Sequence, residues 1–466
     1  MRSRNVLFVA GVAALASAAL PLTASHAAGV FRLRRLVVVG DSVLAGFGNG
    51  GLTARGQVGQ RNSAPAVLAR RAGVNLPLPN MSGPGFPPPL KIVDDNANGV
   101  LDPGEVRRVN HGIGFRRNPD RATRNLAVPG ESVRSVTEQI GAGDVTGQFF
   151  DGDVDGRDLM KFMILGLPLR DDPTSQIERA RELRPSFILV WLGNNDVLDM
   201  AIGTRPSEQD LTAAQFGDRY RTMLGRLADT GADMAVVNLP DVTGVAALRR
   251  AGDAVTSCRD ADGAINPVAP DDLLSIDLDR DLLTQPPCNR VLNATEQARI
   301  RSVVVAFNAE IDAAVNQIER NRGITVARID AFTLFDTIRT TGVPVNADAS
   351  LVVQTGYLGG FFSLDGIHPT RTGQAIIANG AIDAINARFG ETIPRADVTT
   401  VAVHDPLVGN RFRPSGEVPF GVIADDDAGD ALEGAFRHVK ADASDVGEDF
   451  ADKVRGAFRD LKDLFD

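Results

Sequence analysis

The chain has 466 residues, a formal net charge of −10 at pH 7 and only 5% aromatic residues, which together argue against nucleic-acid binding. Its length suffices for one large hydrophobic core or two medium ones, and 47 Gly and 26 Pro indicate long structured loops around that scaffold.

The first thirty residues have the layout of a secretory signal. Two arginines precede a short apolar run, and small residues surround Ala27. This pattern predicts a signal peptide over residues 1–27 and therefore an exported protein, secreted or periplasmic. A membrane anchor is the less favoured interpretation, because the apolar run is short and is broken by Ser17 and Pro21. No later apolar run is long enough to span a bilayer, so no transmembrane segment is predicted.

Apolar runs alternate with segments of helical period along the next 360 residues or so. The predicted strands are Leu36–Val39, Asn125–Val128, Phe187–Leu192, Met234–Leu239 and Ile324–Ile329. The predicted helices are Pro65–Arg71, Ser132–Ile140, Ser175–Leu183, Ala213–Ala228, Thr295–Arg320 and Thr372–Arg388. The strands are apolar almost throughout, as expected where helices cover both faces of a sheet. The alternation predicts an α/β fold with a parallel, doubly wound sheet, whose sites form at the carboxyl ends of the strands.

Two long inserts interrupt this pattern, at residues 75–124 and 241–294. The second insert contains Cys258 and Cys288, the only cysteines of the chain. In an exported protein they are expected to form a disulfide, and two unlinked thiols are the less favoured interpretation. The second insert is interpreted either as a lid or as a loop that is only stapled by the disulfide.

The alternation ends near residue 390. Residues 391–424 read as a linker, and residues 425–466 as an acidic amphipathic helix in which 13 acidic and 6 basic residues give a net charge of −7. This helix is expected to pack on the body of the protein or on a partner. The acidic charge on its polar face disfavours binding to anionic lipid.

The stretch that follows the first strand is compatible with two kinds of site. Gly46, Gly48 and Gly51 fit the phosphate-binding pattern G-x-G-x-x-G, whereas Ser42 in Gly40–Ser42 fits a nucleophile at the end of a strand. A dinucleotide loop begins directly at the strand end and opens a helix. Here Gly46 lies well beyond the strand and no convincing helix follows Gly51. We therefore reject the phosphate loop.

A serine nucleophile needs a general base, because its hydroxyl is barely acidic at neutral pH. The histidines outside the predicted signal peptide are His111, His368, His404 and His438. His368 directly precedes the last predicted helix of the sheet domain, and Asp365 lies three residues before it. This spacing lets the carboxylate hold the imidazole Nδ1–H. Taken alone, the pair would be interpreted as the cap of the following helix.

Two further turns follow predicted strands, one at Gly130 and one at Gly193–Asp196. Each alone is an ordinary turn. Together, an amide side chain and a free backbone N–H at neighbouring strand ends suit an oxyanion hole.

The four blocks in this order resemble the SGNH hydrolases, also called GDSL esterases/lipases: Gly40–Ser42, Gly130, Gly193–Asp196 and Asp365–His368. The resemblance spans about Leu33 to Gly390, and residues 33–390 are taken as the hydrolase domain. It implies a flavodoxin-like, three-layer α/β/α fold, and the absence of G-x-S-x-G argues against the α/β-hydrolase alternative. Val43 stands where the family name implies Leu, and both residues are apolar.

The resemblance also implies the roles of the site residues. Ser42 would be the nucleophile, His368 the general base and Asp365 the acid that orients the imidazole. The backbone N–H groups of Ser42 and Gly130 and the side-chain amide of Asn195 would form the oxyanion hole. Asp41 and Asp196 look supportive. Catalysis of this kind needs no cofactor.

A second motif lies in the first insert, where "DDNANGVLDPGE" matches the calcium-loop pattern D-x-[DN]-x-[DN]-G-x₅-E. The ligands it predicts for a structural Ca²⁺ are Asp94, Asn96, Asn98, the Val100 carbonyl, Asp102 and Glu105. A polar turn explains the same residues equally well, and the three prolines at 87–89 oppose a full EF-hand. "DGDVDGRD" from Asp151 starts similarly, but its twelfth position is Phe162, so it is interpreted as a solvated acidic turn.

The predicted function is an exported serine esterase or lipase that hydrolyses a small-molecule or lipid ester through an acyl-enzyme. An acyltransferase that uses a sugar or lipid alcohol would need the same residues, so this alternative stays open. A calcium-stabilised surface-binding protein with an inactive hydrolase fold is disfavoured by the four intact blocks. Phe361 and Phe362 either line an acyl pocket or belong to the core. The sequence does not determine the oligomeric state.

Overall fold

The computed structural model describes residues 30–56, 58–110, 114–118, 121–141, 144–145, 156–166, 173–202, 211–275, 285–409 and 422–423. The predicted signal peptide, the acidic tail, residues 151–155 of the predicted acidic turn, His111 and His438 lie outside these residues, whereas residues 156–158 of that turn begin a helix. Among the described helices, none combines the length and the apolar character that crossing a bilayer requires.

The strands are, in chain order, β1 (Leu36–Gly40), β2 (Lys91–Ile92), β3 (Val106–Arg107), β4 (Phe187–Trp191), β5 (Asp233–Val237), β6 (Leu248–Arg250), β7 (Ser257–Arg259), β8 (Ile265–Pro267), β9 (Leu273–Ser275), β10 (Val291–Leu292), β11 (Val326–Ile329), β12 (Val343–Pro344) and β13 (Val352–Val353). The central sheet has the order β1-β4-β5-β11 and all of its pairs are parallel. Strands β1 and β4 are buried along their whole length. The carboxyl ends of the four strands therefore meet at one edge of the sheet.

The described helices are α1 (Ser42–Ala45), α2 (Ala64–Arg71), α3 (Gly156–Leu165), α4 (Gln176–Glu182), α5 (Asn194–Ile202), α6 (Ala213–Ala228), α7 (Ala294–Arg322), α8 (Ala331–Thr340), α9 (Arg371–Phe389) and α10 (Val398–Val403). Helix α4 packs on β1 and on α6, and α6 packs on α7. A second group forms around α9, which contacts α2, α10, β5 and β11. Helices in two layers around a parallel sheet confirm the predicted three-layer α/β fold.

Two predicted elements next to the sheet are wrong in detail. Residues 125–128 run parallel to β1 and form hydrogen bonds with it at Val38 and Gly40, but they are not a regular strand. The Gln176 side chain explains this, because its Oε1 accepts the Gly40 N–H at 2.8 Å, which the next rung of the ladder would use. The predicted helix at 132–140 is a series of turns. There the hydroxyls of two serines bind each other's backbone N–H, which competes with helical hydrogen bonds.

The two inserts form small structures of their own. In the first, β2 and β3 form an antiparallel hairpin. In the second, β6, β9 and β10 form a three-stranded sheet, and β7 pairs with β8. Cys258 and Cys288 are joined by a disulfide bond, as predicted, with their Cα atoms 4.9 Å apart.

Part of the predicted linker packs on the domain. Helix α10 lies within residues 391–409, and Ile393, Ala402 and Val408 belong to the main hydrophobic core. Further along, Val422 and Ile423 are buried in a second, smaller core together with Leu90, Leu101, Val106, Leu358, Leu364 and Leu407. Ile423 also pairs with Val106 of β3. This part of the chain is therefore structural, because its apolar side chains complete cores that the hydrolase domain leaves open.

Candidate active site

Ser42 lies at the carboxyl end of β1, as the first residue of the short helix α1. Asp41 caps this helix, and its Oδ1 accepts the Val43 N–H at 3.1 Å. The turn from strand to helix is tight at Gly40, where a Cβ atom would lie only 2.8 Å from Cδ1 of Leu44. The same Cβ would lie 3.0 Å from the Trp191 carbonyl oxygen, so glycine avoids crowding against the neighbouring strand, and the turn presents Ser42 at the edge of the sheet.

Asp365 and His368 contact each other in the loop before α9. The Oδ2 atom of Asp365 lies 3.1 Å from Nδ1 of His368, and both side chains are buried. The Oδ1 atom accepts the N–H groups of Ile367 and His368 at 2.9 and 2.8 Å. The cap of α9 is Thr370, whose side chain accepts the Gly373 N–H. Asp365 is therefore not the cap of that helix, and its carboxylate is used to hold the imidazole.

The pKa of the Asp365 carboxyl lies below its usual value. Burial alone would raise it, but the facing imidazole of His368 and the backbone N–H donors stabilise the charged form by more. Asp365 is therefore an anion at neutral pH, as a carboxylate that orients an imidazole must be.

The loop that follows Ser42 connects the serine turn to the histidine loop. The Phe47 N–H donates to the Ser42 carbonyl at 3.0 Å, and the Phe47 ring packs on the His368 ring with their centroids 4.7 Å apart. The Asn49 N–H donates to Oγ of Ser363 at 2.8 Å. Residues 42–50 and 363–368 therefore form one hydrogen-bonded unit although they lie more than 300 positions apart.

Gly50 and Arg108 complete this unit. The Gly50 N–H donates to Oδ2 of Asp365 at 2.5 Å, and its carbonyl accepts Nη1 of Arg108 at 2.9 Å. Arg108 comes from the first insert and is only 9% exposed. The first insert thus supplies a buried cation that binds the Gly50 carbonyl, and the N–H of the same residue binds Asp365. No sequence pattern pointed to this role of Arg108.

The second ring nitrogen of His368 has no hydrogen-bond partner. Its Nε2 atom is buried, and no described group donates to it or accepts from it, the Ser42 hydroxyl included. In enzymes without substrate, contacts between nucleophile and base are often long and close only when substrate binds. A buried imidazole nitrogen without a partner is available to accept a proton.

Gly130 and Asn195 lie at the two neighbouring positions of the same edge. Gly130 follows the segment that runs beside β1, and Asn195 is in the first turn of α5, directly after β4. The Asn195 Nδ2 donates to the Glu131 carbonyl at 2.7 Å. Asn194, which the sequence did not single out, donates from Nδ2 to Oδ2 of Asp41 at 2.8 Å. The strand ends that carry Ser42, Gly130 and Asn195 are thus joined directly.

Two buried carboxyls surround this arrangement. Burial raises the pKa of Asp41 to about 6, although hydrogen bonds from Asn194 and Val43 act in the opposite direction. Burial likewise raises the pKa of Asp196 to about 6, although its Oδ2 accepts the Val133 N–H at 2.9 Å. Both carboxyls have structural partners, so they support the site rather than offer a free acid.

The predicted calcium loop is closed by its own hydrogen bonds. Asp94 accepts the Asn98 N–H at 3.1 Å, and the amide nitrogens of Asn96 and Asn98 donate to Oδ2 of Asp102 at 2.8 and 2.9 Å. Glu105 accepts the Asp102 N–H at 2.9 Å. No cluster of three or more His, Cys, Asp or Glu side chains within the described ranges is placed to hold a metal ion.

Two other candidates lie away from the site. Phe361 and Phe362 are buried, and their ring centroids lie 4.9 and 6.2 Å from that of Phe335, so they are part of the core. His404 is exposed at the end of α10, where its Nδ1 contacts the Thr400 carbonyl at 2.8 Å.

The chain was compared with curated protein sequences, with solved structures and with models of protein families. No curated protein sequence matches the chain significantly. Among solved structures, similarity was found to LAE5, an alpha/beta hydrolase enzyme from the metagenome of Lake Arreo, at 15% identity and a TM-score of 0.30 over 75% of this chain and 93% of that one. Similarity was also found to Axe2, an acetylxylan esterase from Geobacillus stearothermophilus, at 12% identity and 0.31 over 78% and 96%. The extracellular lipase of Streptomyces rimosus gives 13% identity and 0.28 over 76% and 98%.

A family match settles the classification. The model of the family described as GDSL-like Lipase/Acylhydrolase matches residues 36–381, about three quarters of the chain. That range contains all four of the sequence blocks and the whole central sheet. The chain therefore belongs to the GDSL-like lipase/acylhydrolase family and is an enzyme that hydrolyses ester bonds.

Proposed function

We propose that this enzyme hydrolyses carboxylic esters in two steps through an acyl-enzyme on Ser42, with His368 as the general base and Asp365 as its orienting acid. The observation that carries the proposal is the buried contact of 3.1 Å between Asp365 and Nδ1 of His368, combined with a second ring nitrogen that has no partner. A carboxylate at Nδ1 selects the tautomer in which Nε2 accepts a proton.

The mechanism follows from these positions. The Ser42 oxygen attacks the acyl carbonyl while its proton passes to Nε2 of His368. The tetrahedral intermediate expels the alcohol, which takes that proton, and leaves the acyl group on Ser42. Water then gives a proton to Nε2 and attacks the acyl-enzyme. The bond between the acyl carbon and the Ser42 oxygen breaks, the carboxylic acid leaves, and the Ser42 oxygen takes back the proton from Nε2. In both steps the Asp365 carboxylate stabilises the transient imidazolium.

The proposed oxyanion hole consists of the backbone N–H groups of Ser42 and Gly130 and the side-chain amide of Asn195. Support comes from the Asn195 amide, which has two N–H groups of which one is directed to the Glu131 carbonyl. That hydrogen bond fixes the amide plane and leaves the second N–H for the developing oxyanion. Donors held in place before the reaction stabilise charge at no cost in reorganisation.

The experiment is a series of p-nitrophenyl esters of increasing acyl length, assayed with wild type, Ser42→Ala and His368→Ala. Exposed Ser302 on α7 provides the matched control Ser302→Ala. Loss of the nucleophile or the base is expected to lower kcat by about 10⁴-fold or more, as for serine hydrolases in general. Equal turnover by wild type and Ser42→Ala would refute the assignment. Product analysis with an added alcohol acceptor distinguishes hydrolysis from acyl transfer.

Export is part of the same proposal. It rests on the signal-peptide pattern of residues 1–27. Fractionation of the producing cells, followed by N-terminal sequencing, should find the exported protein beginning at Ala28. A cytoplasmic protein that keeps its N-terminal Met would contradict it.

The structural Ca²⁺ predicted for residues 94–105 stays a prediction. Its support is the agreement with the loop pattern, while the Asp94, Asp102 and Glu105 carboxylates accept hydrogen bonds from within the loop. At a free Ca²⁺ concentration of 100 times the Kd, binding would raise the free energy of unfolding by about 2.7 kcal/mol. Tm should therefore fall in EDTA and recover with excess Ca²⁺, and an unchanged Tm would remove the site.

A further inference from the structure

A buried ion pair lies directly behind the segment that carries Gly130. The Nζ atom of Lys161 lies 3.3 Å from Oε2 of Glu131, and their side chains are 1% and 0% exposed. Oε1 of Glu131 accepts the Ser135 hydroxyl at 2.5 Å. Moving two charges out of water costs several kcal/mol per ion, so a buried pair is weak evidence for a gain in stability. A gain in stability therefore does not explain why this ion pair lies next to the site.

The Lys161 ammonium organises residues 131–138, which have little regular secondary structure. It donates to the Ser135 carbonyl at 2.9 Å and to the Glu138 carbonyl at 3.2 Å, and its charge faces Oε2 of Glu131 at 3.3 Å. Two of the three N–H donors of the ammonium are therefore bound to backbone carbonyls of this segment. A single cation from α3 thus holds both ends of a segment that has no helix or ladder of its own.

The same segment contacts the site in two places. The Glu131 carbonyl accepts Nδ2 of Asn195 at 2.7 Å, and the Val133 N–H donates to Oδ2 of Asp196 at 2.9 Å. Gly130 directly precedes Glu131 in the chain. A shift of this segment by a fraction of an ångström would therefore move the Gly130 N–H and the Asn195 amide together.

We propose that Lys161 and Glu131 are positioning residues that hold the Gly130 N–H and the Asn195 amide in register with Ser42. The inference rests on the proposed function, since the two donors matter only if an oxyanion forms on Ser42. The ion pair itself does not touch the substrate. It acts through the Glu131 carbonyl and through the fold of residues 131–138.

The test compares the double variant Lys161→Met/Glu131→Gln with wild type. Removing both charges avoids an unpaired buried ion, which alone would cost about 3–5 kcal/mol and could unfold the protein. We expect a Tm close to that of wild type, a KM within about twofold and a kcat lower by about 10- to 100-fold, somewhat less than for loss of a whole oxyanion donor. A kcat within twofold of wild type in this folded variant overturns the inference.

A second measurement separates positioning from a structural role. Combined with Asn195→Ala, the double variant should lose less kcat than the product of the two separate losses, because both changes act on the same donors. Losses that multiply fully would show that the pair acts independently of the hole and would overturn the inference. Arg116→Met serves as a matched control, because Arg116 is also a buried cation and donates to the Met163 and Ile164 carbonyls of α3. Arg116→Met is expected to lower Tm but to leave kcat close to that of wild type.

Ser42→Ala, assayed in parallel, distinguishes a failure of the proposed function from a failure of the positioning role. If Ser42→Ala keeps wild-type turnover, the proposed function fails, whatever the ion-pair variants do. If Ser42→Ala is inactive while the ion-pair variant turns over like wild type, only the positioning role fails.

Discussion

Replacing Gly50 by Ala tests whether the loop after Ser42 supports the Asp365–His368 pair. Gly50 has a φ of +65°, its N–H donates to Asp365, and it lies beside Arg108. Gly390, which ends α9 with a φ of +68°, provides a matched control, since nothing lies within 4 Å of a Cβ added there. Both substitutions impose the same backbone strain, but only the first affects the site.

The expected losses of stability differ by about 1–3 kcal/mol. An alanine in the left-handed region costs about 1 kcal/mol at either position. At Gly50 the new Cβ would also lie 3.2 Å from Nη2 of Arg108, whose Nη1 is held by the Gly50 carbonyl, and crowding of this kind costs about 1–3 kcal/mol. Alanine keeps the backbone N–H that donates to Asp365, so no loss of that hydrogen bond is added. We therefore expect about 2–4 kcal/mol for Gly50→Ala and about 1 kcal/mol for Gly390→Ala.

Urea unfolding measures the stability of the two variants, and hydrolysis of a p-nitrophenyl ester measures kcat. Gly50→Ala should lower kcat at least tenfold, because each 1.4 kcal/mol of lost transition-state stabilisation is a factor of about ten. Gly390→Ala should leave kcat unchanged. If the two variants lose the same stability to within about 0.5 kcal/mol and both keep the kcat of wild type, Gly50 does not support the Asp365–His368 pair.

Three more predictions concern other parts of the molecule. Asp365→Asn should lower kcat by about 10³- to 10⁴-fold with little change in KM, because an amide disfavours the tautomer that accepts at Nε2; steady-state kinetics with an unchanged kcat would contradict this. The folded pKa of Asp196, about 6, lies above the unfolded value, so ionisation costs stability as pH rises from about 4 to 6. Asp196→Asn should then gain up to about 3 kcal/mol over wild type across that interval in urea titrations, and an equal pH dependence of the two proteins would contradict this. Replacing Cys258 and Cys288 by Ala should cost roughly 3–4 kcal/mol of stability while ester hydrolysis continues, and an unchanged Tm would count against the bridge.

Elements with strong local signals were predicted almost to the residue. Helix α6 spans Ala213–Ala228, as predicted, because Thr212 and Gln215 form a capping box at its start. The prediction for β1 ended one residue early, at Val39 instead of Gly40. The turns at 132–140 were missed, since their apolar residues have helical spacing while the serine hydroxyls bind the backbone instead.

In the candidate site too, some contacts could be predicted from the sequence and others could not. Asp365 and His368 could be paired from the sequence because they lie three positions apart on one turn. The support from Arg108 and from Lys161 could not be predicted, because each depends on a contact between distant parts of the chain. The sequence does contain one signal for Lys161, which is the one charged residue within the apolar run "LMKFMIL". A lysine at such a position needs a buried partner, and the sequence does not say which carboxylate provides it.

The burial of Val422 and Ile423 links the loop of Asp365 and His368 to residues more than 50 positions further along the chain. These two side chains belong to the same small core of eight buried residues as Leu364, the neighbour of Asp365. An expression boundary or a proteolytic cut that removes Val422 and Ile423 would expose the apolar side chains of that core and destabilise the loop. A truncated but active preparation should therefore retain both residues.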